Sequence, residues 1–342
     1  MINRRARARP PSLADIAAAA GVSAATVSRI VNGELGRAAP ETVERVQRIV
    51  VERGYRPNHA GRSLRRRESQ IVAMLAPNLD NPAMAAIAAS TEAALRDAGH
   101  VMILCDTHDR PALQDEYLEA MRAQLARGYV LVSATASPGL RAAMARDEPL
   151  VFVNRRNMLG AGAFVGIDNR KAGAEAADHF ARLGIDDLAV LHPTLMTMTV
   201  ADRVEGFLER CAALGIEGAR VRRASGEGAT HLDIGYQAIR ALAAAGGWPK
   251  GVFCPSDLIA YAVYRLATEQ GLSIPDDCCV VGVDDNQFNA WIAPWLTSIA
   301  IPYPRFGAAV VEQLTARWAG APARDLILPH ELIVRRLPGG RG

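Results

Sequence analysis

The sequence predicts two parts: a small all-α helix-turn-helix domain, and an α/β core of two doubly wound parallel-sheet subdomains. Apolar residues between 12 and 32 recur at helical spacing. From Ile71 on, short apolar runs alternate with amphipathic helices, and the alternation starts again near residue 188. The charge also changes sign, because residues 1–67 carry 14 Arg, no Lys and 5 acids, a net charge of +9. The rest of the chain has 25 basic and 31 acidic residues, a net charge of −6.

The helix-turn-helix is predicted over 12–32, SLADIAAAAGVSAATVSRIVN. Ser12 and Asp15 have the spacing of a capping box, and Gly21 ends the first helix. Ser23 caps the second helix, in which Val27, Ile30 and Val31 form the buried face. A third helix is predicted from Pro40 to just before Gly54.

A helix pair of this kind has two interpretations. One is an ordinary αα-hairpin, and the other is a DNA-binding unit. The excess of Arg favours DNA, because phosphate neutralisation requires positive charge. In a major groove, Ala24 and Ala25 would face base edges, and Arg29 would reach O6 and N7 of guanine. Residues 1–11 are predicted to be a basic arm, either touching phosphates or solvated.

The core is predicted from residue 69. Buried strands of the first half are expected at 71–77, 100–105, 129–133 and 150–154, with helices near 83–98, 112–127 and 138–146. Strands of the second half are expected at 188–192, 221–224, 251–254 and 278–284, with helices near 171–183, 201–214, 235–244 and 257–270. In such sheets ligands bind at the carboxyl ends of the strands, in the cleft between subdomains.

Polar residues follow these strands. They are Asn78, Asp80, Asn81, Asp106, Thr107, Asn154, Arg155, Ser256, Asp257, Asp284 and Asp285. Each one alone could simply cap the next helix. Their convergence at one edge of the sheets favours a binding site.

The runs AGVSAATVSRIVNG (20–33), PETVERV, ERGYRPN and RSL resemble the DNA-binding headpiece of the LacI family of bacterial transcription regulators. The resemblance continues almost to the end of the chain. It implies a headpiece at 12–56, a hinge at 57–68 and a periplasmic-binding-protein-like core at 69–342. The N-subdomain would comprise about 69–167 plus 299–328, including a helix near 306–318. The C-subdomain would comprise about 168–298 plus the C-terminal segment.

The resemblance also implies roles for residues in the headpiece and hinge. Ala24, Ala25 and Arg29 match positions that contact operator bases. Ser23, Thr26, Ser28 and Asn32 match positions that hold the DNA backbone. Leu64 would wedge into the minor groove while Arg62 holds a phosphate. The chain departs from the family at Ala39, where a capping Ser is usual, and at Gly61, where Ala is common.

The predicted effector-binding residues come from the strand ends and from the resemblance. They are Asn78, Asp80, Asn154, Arg155, Arg203, Ser256, Asp284 and Tyr303. Arg203 lies in ADRVEGF and Asp284 in VGVDD, two runs whose family counterparts contact the effector. Ala83 and Met84, in NPAM, replace the aromatic pair of the common NPFF and predict a roomier wall.

Other classes of function are disfavoured. The sequence has no GxSxG, P-loop, HExxH or CxxC motif, so neither catalytic residues, metal nor cofactor is predicted. The five cysteines are expected to be buried and reduced. No apolar run has transmembrane length and no secretory signal is present, which predicts a cytoplasmic, nucleoid-associated protein without membrane partners.

The prediction is an effector-controlled transcription regulator, most simply a repressor. It would act as a homodimer on double-stranded, pseudo-palindromic operator DNA and bind a small-molecule effector, a sugar or sugar derivative. The alternatives are a solute-binding protein of periplasmic type, and an effector that is a purine or another non-sugar metabolite.

Overall fold

The structure, a computed structural model, describes residues 11–55, 69–160, 162–336 and 339. The chain forms two compact units, Met1–Ser69 and Gln70–Gly342. Most of the predicted arm lies outside the described residues. So does the predicted hinge, with Arg62 and Leu64.

The first unit contains α1 (Leu13–Ala20), α2 (Ala24–Val31) and α3 (Pro40–Glu52). The predicted capping box is present, since the Ser12 amide donates to Asp15 Oδ2 at 2.7 Å and the Asp15 amide donates to Ser12 Oγ at 3.3 Å. Gly21 takes a φ of 65°, which only glycine adopts at little cost, and α2 leaves α1 at an angle of 105°. This is the geometry of a helix-turn-helix.

The three helices share a small apolar core. It contains Ile16, Ala17, Ala20, Val27, Ile30, Val46 and Tyr55. Arg45 Nε on α3 also donates to the carbonyl of Ala20 at 3.1 Å, which satisfies a carbonyl at the end of α1. At the start of α3, Ala39 makes no side-chain capping bond.

The second unit contains two six-stranded sheets. The first consists of β1 (Ile71–Ala76), β2 (Val101–Asp106), β3 (Gly128–Val132), β4 (Leu150–Val153), β5 (Ala163–Gly166) and β11 (Asp325–Ile327). The second consists of β6 (Leu188–Pro193), β7 (Val221–Gly226), β8 (Gly251–Phe253), β9 (Cys279–Asp284), β10 (Thr297–Ala300) and β12 (Glu331–Ile333).

The sheets have matching topologies. Their strand orders are β2-β1-β3-β4-β5-β11 and β7-β6-β8-β9-β10-β12. Neighbouring strands are parallel, except that β12 runs antiparallel to β10. In both sheets the strand order reverses beside the first strand, which is where an open α/β sheet leaves a crevice for a ligand.

Helices cover both faces of each sheet. The helices are α4 (Pro82–Asp97), α5 (Pro111–Ala123), α6 (Pro138–Ala145), α7 (Asn169–Arg182), α8 (Met198–Ala213), α9 (His231–Gly246), α10 (Asp257–Glu269), α11 (Asn289–Ile292) and α12 (Tyr303–Trp318). Along β1, Val72 and Met74 enter the apolar cluster that also holds α4 and α12, while Ala73 and Leu75 enter the cluster beneath α5 and α6. The sheet is therefore buried on both faces.

Glycines let two helix pairs pack closely. A Cβ on Gly206 of α8 would lie 2.1 Å from the carbonyl oxygen of Arg170 on α7, and one on Gly307 of α12 would lie 1.9 Å from that of Ser90 on α4. Only glycine permits these approaches. They fix the positions of α8, which carries Arg203, and of α12, which begins at Tyr303.

The structure differs from the sequence prediction in three places. Strand β2 was expected to be buried, but it is an edge strand in which Val101 is 59% exposed. The chain leaves the second sheet after Ala300 rather than before 299, because Thr297–Ala300 pair with β9. Strands β5, β10, β11 and β12 were not predicted, since three or four residues carry little periodicity.

No single helix in the described ranges is long and apolar enough to cross a membrane. Helices α1 and α2 pass such a test only when taken together as a bent pair.

Candidate functional site

The first candidate site is the amino-terminal end of α2. Ala24 and Ala25 are exposed there because Val27 and Ile30 turn the opposite face of the helix into the core. Arg29, one turn on, is partly exposed, and its Nε donates to the carbonyl of Ala25 at 3.3 Å. The guanidinium therefore lies along the same edge of the helix as the two alanines.

The polar residues predicted to hold the DNA backbone are paired within α2. Ser23 Oγ accepts from the Thr26 amide at 3.1 Å and lies 2.9 Å from Thr26 Oγ1. Asn32 Nδ2 donates to Ser28 Oγ at 3.4 Å. Ser23 thus acts as the helix cap.

The second candidate site is a cavity of about 460 Å³ in the core. Its lining includes every one of the eight predicted effector-binding residues: Asn78, Asp80, Asn154, Arg155, Arg203, Ser256, Asp284 and Tyr303. They come from loops after β1, β4, β8 and β9 and from the starts of helices, which the parallel topology brings to one edge. Asn78 and Asp80 are exposed at this edge, whereas Arg203 and Ser256 are buried.

A buried polar cluster joins Arg203, Asp284 and Tyr303. Arg203 Nε donates to Asn169 Oδ1 at 2.9 Å, and its Nη1 donates to the Pro255 carbonyl at 2.7 Å and lies 3.8 Å from Asp284 Oδ1. The Tyr303 hydroxyl donates to Asp284 Oδ1 at 2.7 Å. Burial raises the pKa of Asp284, although the charge of Arg203 and the bond from Tyr303 oppose the rise.

Within the described parts of the core, two hydrogen bonds cross the cleft between the subdomains. One is the bond from Tyr303 on α12 to Asp284 at the end of β9. The other runs from Thr199 Oγ1 on α8 to the carbonyl of Asn154, after β4, at 3.1 Å. Each bond joins an element packed on one sheet to an element of the other sheet. Both bonds therefore depend on the relative position of the two halves.

Several lining residues have left-handed backbone conformations. The φ angle is 55° at Ser133, 67° at Asn154, 116° at Asp284 and 56° at Asp109. A side chain rarely adopts such angles, and they concentrate where a structure needs a side chain at a fixed position. Asn154 and Ser133 are also joined, since Asn154 Nδ2 donates to Ser133 Oγ at 3.0 Å.

The adjacent acids Asp284 and Asp285 point in different directions. Asp285 Oδ1 accepts from Arg335 Nη2 at 2.7 Å, away from Tyr303. A third acid, Asp257, is buried and accepts from Ser298 Oγ and Asn289 Nδ2. Burial, and then the charge of Asp284, raises the pKa of Asp257 to about 7.

Ser256 both caps a helix and faces the cavity. Its Oγ accepts from the Ile259 amide at 3.4 Å and lies 2.9 Å from Nδ1 of His231. Burial, and then the charge of Arg203, lowers the pKa of His231. The capping and binding interpretations of Ser256 are thus compatible.

Several lining residues were not predicted from the sequence, among them His231, Asp109 and Thr199. His231 begins a helix directly after a strand, as Asp257 does, but that helix was predicted to start four residues later. Thr199 lies in the first turn of α8, predicted three residues late. The start of a helix after a strand was the sequence signal that identifies such residues.

The wall formed by Ala83 and Met84 is buried and has no aromatic side chain at those positions. Among the described residues, no group of three or more His, Cys, Asp or Glu side chains is placed to hold a metal ion. The cavity offers hydroxyl, carboxylate, amide and guanidinium groups around an apolar wall, an arrangement that binds a small polar molecule.

Family models match both units. Residues 12–58 match the model of bacterial regulatory proteins of the lacI family, and residues 177–336 match that of the periplasmic binding protein-like domain. The HTH-type transcriptional regulator PtxS of Pseudomonas putida is 30% identical over 331 residues, 95% of each chain. The HTH-type transcriptional regulator MalR of Streptomyces coelicolor is 32% identical over 345 residues, 96% of this chain and 98% of MalR.

Solved structures show the same fold. A complex of the transcriptional regulator CelR with cellobiose has a TM-score of 0.70 and 26% identity, covering 95% of this chain and 99% of CelR. The lac repressor dimer bound to operator and the anti-inducer ONPF has a TM-score of 0.85 at 22% identity, covering 96% and 98%.

Proposed function

The chain belongs to the LacI family of bacterial transcription regulators, and on that premise we propose that a small molecule in the core cavity controls its affinity for operator DNA. The proposed form is a homodimer, acting as a repressor at a pseudo-palindromic operator in the nucleoid of the cytoplasm. The alternative, a solute-binding protein, does not account for the DNA-binding region at 12–58 that matches the lacI-family model.

The observation that carries effector control is the convergence at the cavity. Residues from Asn78 to Tyr303, more than two hundred positions apart, line one space of about 460 Å³. Three of them, Asn154, Asp284 and Tyr303, take part in the hydrogen bonds that cross the cleft. A ligand that contacts both halves, and binds one arrangement of the subdomains more tightly than the other, therefore changes the balance between the arrangements.

The proposed control is a linkage. An effector with different affinities for two arrangements of the subdomains shifts their populations, and through the hinge it changes affinity for DNA. Competition for Asp284 is the specific step, because its Oδ1 is held by Tyr303 from the other half. A hydroxyl of the ligand could take over that contact.

A sugar or sugar derivative is the proposed class of effector. Arg203 and Asp284 provide donors and an acceptor at one end of the cavity, and Asn154, Ser256 and Thr199 provide further polar groups. Groups of this kind match sugar hydroxyls. The relative CelR was solved with cellobiose.

Arg29 tests the DNA-binding part. We expect Arg29→Ala to lose discrimination for the operator, weakening specific binding by about 1 to 3 kcal/mol, because a guanidinium can bond both acceptors of guanine. The assay is a gel-shift titration on a sequence selected from a random pool, compared with a scrambled sequence. Arg48→Ala, an exposed position on α3, is the control for lost charge. Equal weakening on both DNAs by Arg29→Ala would contradict base recognition.

Effector control is tested by the same titration with sugars, sugar acids and purines added. A shift in operator affinity in either direction supports the proposal. A purine that shifts affinity while all sugars fail would replace the sugar class. Binding that stays constant with a ligand shown by calorimetry to occupy the protein would refute control.

A further inference from the structure

The guanidinium of Arg155 is buried at the cavity wall without a hydrogen-bond acceptor among the described residues. Only 9% of the residue is exposed, and its Nε has no partner. The nearest carboxylate oxygen, Oδ1 of Asp109, lies 3.8 Å from Nη1, beyond hydrogen-bond distance, and the Asp109 side chain is 54% exposed. Burial lowers the pKa of Arg155. A charge held this way is costly unless a ligand supplies the acceptor.

The second arginine of the cavity, Arg203, already has hydrogen-bond partners within the protein. Arg203 donates to Asn169 and to the Pro255 carbonyl, and Asp284 lies within 3.8 Å. Each arginine has one carboxylate oxygen at 3.8 Å, but the Asp284 side chain beside Arg203 is 13% exposed and the Asp109 side chain beside Arg155 is 54% exposed. The two arginines also differ in hydrogen bonding, since Arg203 donates to two protein acceptors and Arg155 donates to none among the described residues.

The helices around the cavity also favour negative charge. Four helices of 13 or 16 residues begin there, with the capping residues Asn81, Thr197, Thr230 and Ser256 in the lining. Helix amino termini carry partial positive charge, which favours an anion. Three acids in the lining oppose an anion. Asp80 and Asp109 are exposed, so solvent screens their repulsion, and the buried Asp284 lies 3.8 Å from the guanidinium of Arg203.

We propose that the effector is an acid, and that Arg155 binds its carboxylate or phosphate group. This inference rests on the proposed function only in calling the ligand an effector. A neutral hydroxyl would give Arg155 an acceptor but no counter-charge. A carboxylate or phosphate gives both, and its oxygens match the fork of guanidinium N–H groups. Arg155 then decides between acidic sugars and their neutral parents.

Matched ligand pairs test the inference on the full-length protein by calorimetry. The pairs are gluconate with glucose, galacturonate with galactose, glucose 6-phosphate with glucose, and ribose 5-phosphate with ribose. We expect at least one acid to bind on the order of ten-fold or more tightly than its neutral parent. Binding by a carboxylate alone or a phosphate alone identifies the source of the anion. Binding by neutral sugars only, or by no acid at millimolar concentration, overturns the proposal.

Variants separate the role of Arg155 from general damage. Arg155→Gln should reduce the preference for the acid to about that for the neutral sugar, and Arg155→Lys should retain part of it because the charge remains. The control is Arg156→Gln at the neighbouring position, where the side chain is half-exposed, pairs with Asp325 and is absent from the cavity lining. The assignment is overturned if a folded Arg155→Gln variant keeps the full preference for the acid. It is also overturned if the control Arg156→Gln loses the preference as fully as Arg155→Gln does.

The DNA assay keeps this failure distinct from that of the proposed function. A protein that prefers the acid through Arg155 but whose operator affinity never responds would refute effector control and leave the ligand class intact. If operator affinity responded to a neutral sugar alone, the result would support effector control and refute the acidic ligand.

Discussion

Replacing Arg203 with Ala should destabilise the core as well as remove the proposed ligand contact. Arg203 is 4% exposed, and its loss leaves the Asn169 amide oxygen and the Pro255 carbonyl without their donor and the Asp284 carboxylate without its nearby positive charge. Breaking a buried ion pair from one side costs about 3 to 5 kcal/mol. Although the 3.8 Å separation from Asp284 makes the pair looser than a hydrogen-bonded one, the two lost hydrogen bonds add to the cost, so we expect this range.

The cost should depend on pH through Asp284. Its folded pKa is raised, mainly by burial, so folding disfavours the charged carboxylate. The stability that the protonated Asp284 carboxyl contributes is present below the unfolded pKa of about 3.9 and is lost as pH rises through the folded pKa. Without Arg203 that pKa rises further. We therefore expect Arg203→Ala to be more destabilising at pH 8 than at pH 5.

Urea unfolding of a double-mutant cycle measures both effects. Adding Asp284→Asn to Arg203→Ala removes the uncompensated charge and should recover part of the loss, a coupling of about 1 to 3 kcal/mol. The control is Arg210→Ala on the same helix, whose pair with Asp178 is partly exposed and should contribute about 0 to 1 kcal/mol. A cost below about 1 kcal/mol for Arg203→Ala, or strictly additive effects, would refute the argument.

Three further changes have defined outcomes. Gly206→Ala should lower the free energy of unfolding by about 1 to 3 kcal/mol and weaken ligand binding, because its Cβ would meet the Arg170 carbonyl. The control is Gly246→Ala, whose Cβ would meet only a side chain at 3.4 Å and which should be neutral or stabilising. Thermal melts of the two variants measure both effects. Ala39→Ser should stabilise the headpiece by about 1 kcal/mol by capping α3, and an unchanged melting temperature would contradict this. The five buried cysteines should resist iodoacetamide until the protein is unfolded, since burial raises the pKa of Cys211 to about 11 and of Cys279 to about 12; rapid labelling of folded protein would contradict their burial.

Much of this structure could be predicted from the sequence alone, because it depends on residues that are close together in the chain. The capping box at Ser12, the left-handed Gly21 and the apolar spacing of α1 and α2 depend on residues within four positions of each other, so the headpiece was predictable. The alternation of apolar runs with amphipathic helices predicted two doubly wound halves. The rule that polar residues follow parallel strands, with the family resemblance, selected eight residues that line one cavity.

Tertiary structure decided what depends on partners distant in the chain. Strand β2 is apolar but exposed because it lies at a sheet edge, which its own residues do not encode. Strands β11 and β12 are three residues each and exist only through pairing with β5 and β10. Likewise, both cavity arginines follow from sequence, but only the packing shows that Arg203 is satisfied by Asn169 and Pro255 while Arg155 lacks an acceptor. Whether a buried polar group has a hydrogen-bond partner depends on its neighbours in the folded protein, so the sequence alone could not distinguish these two arginines.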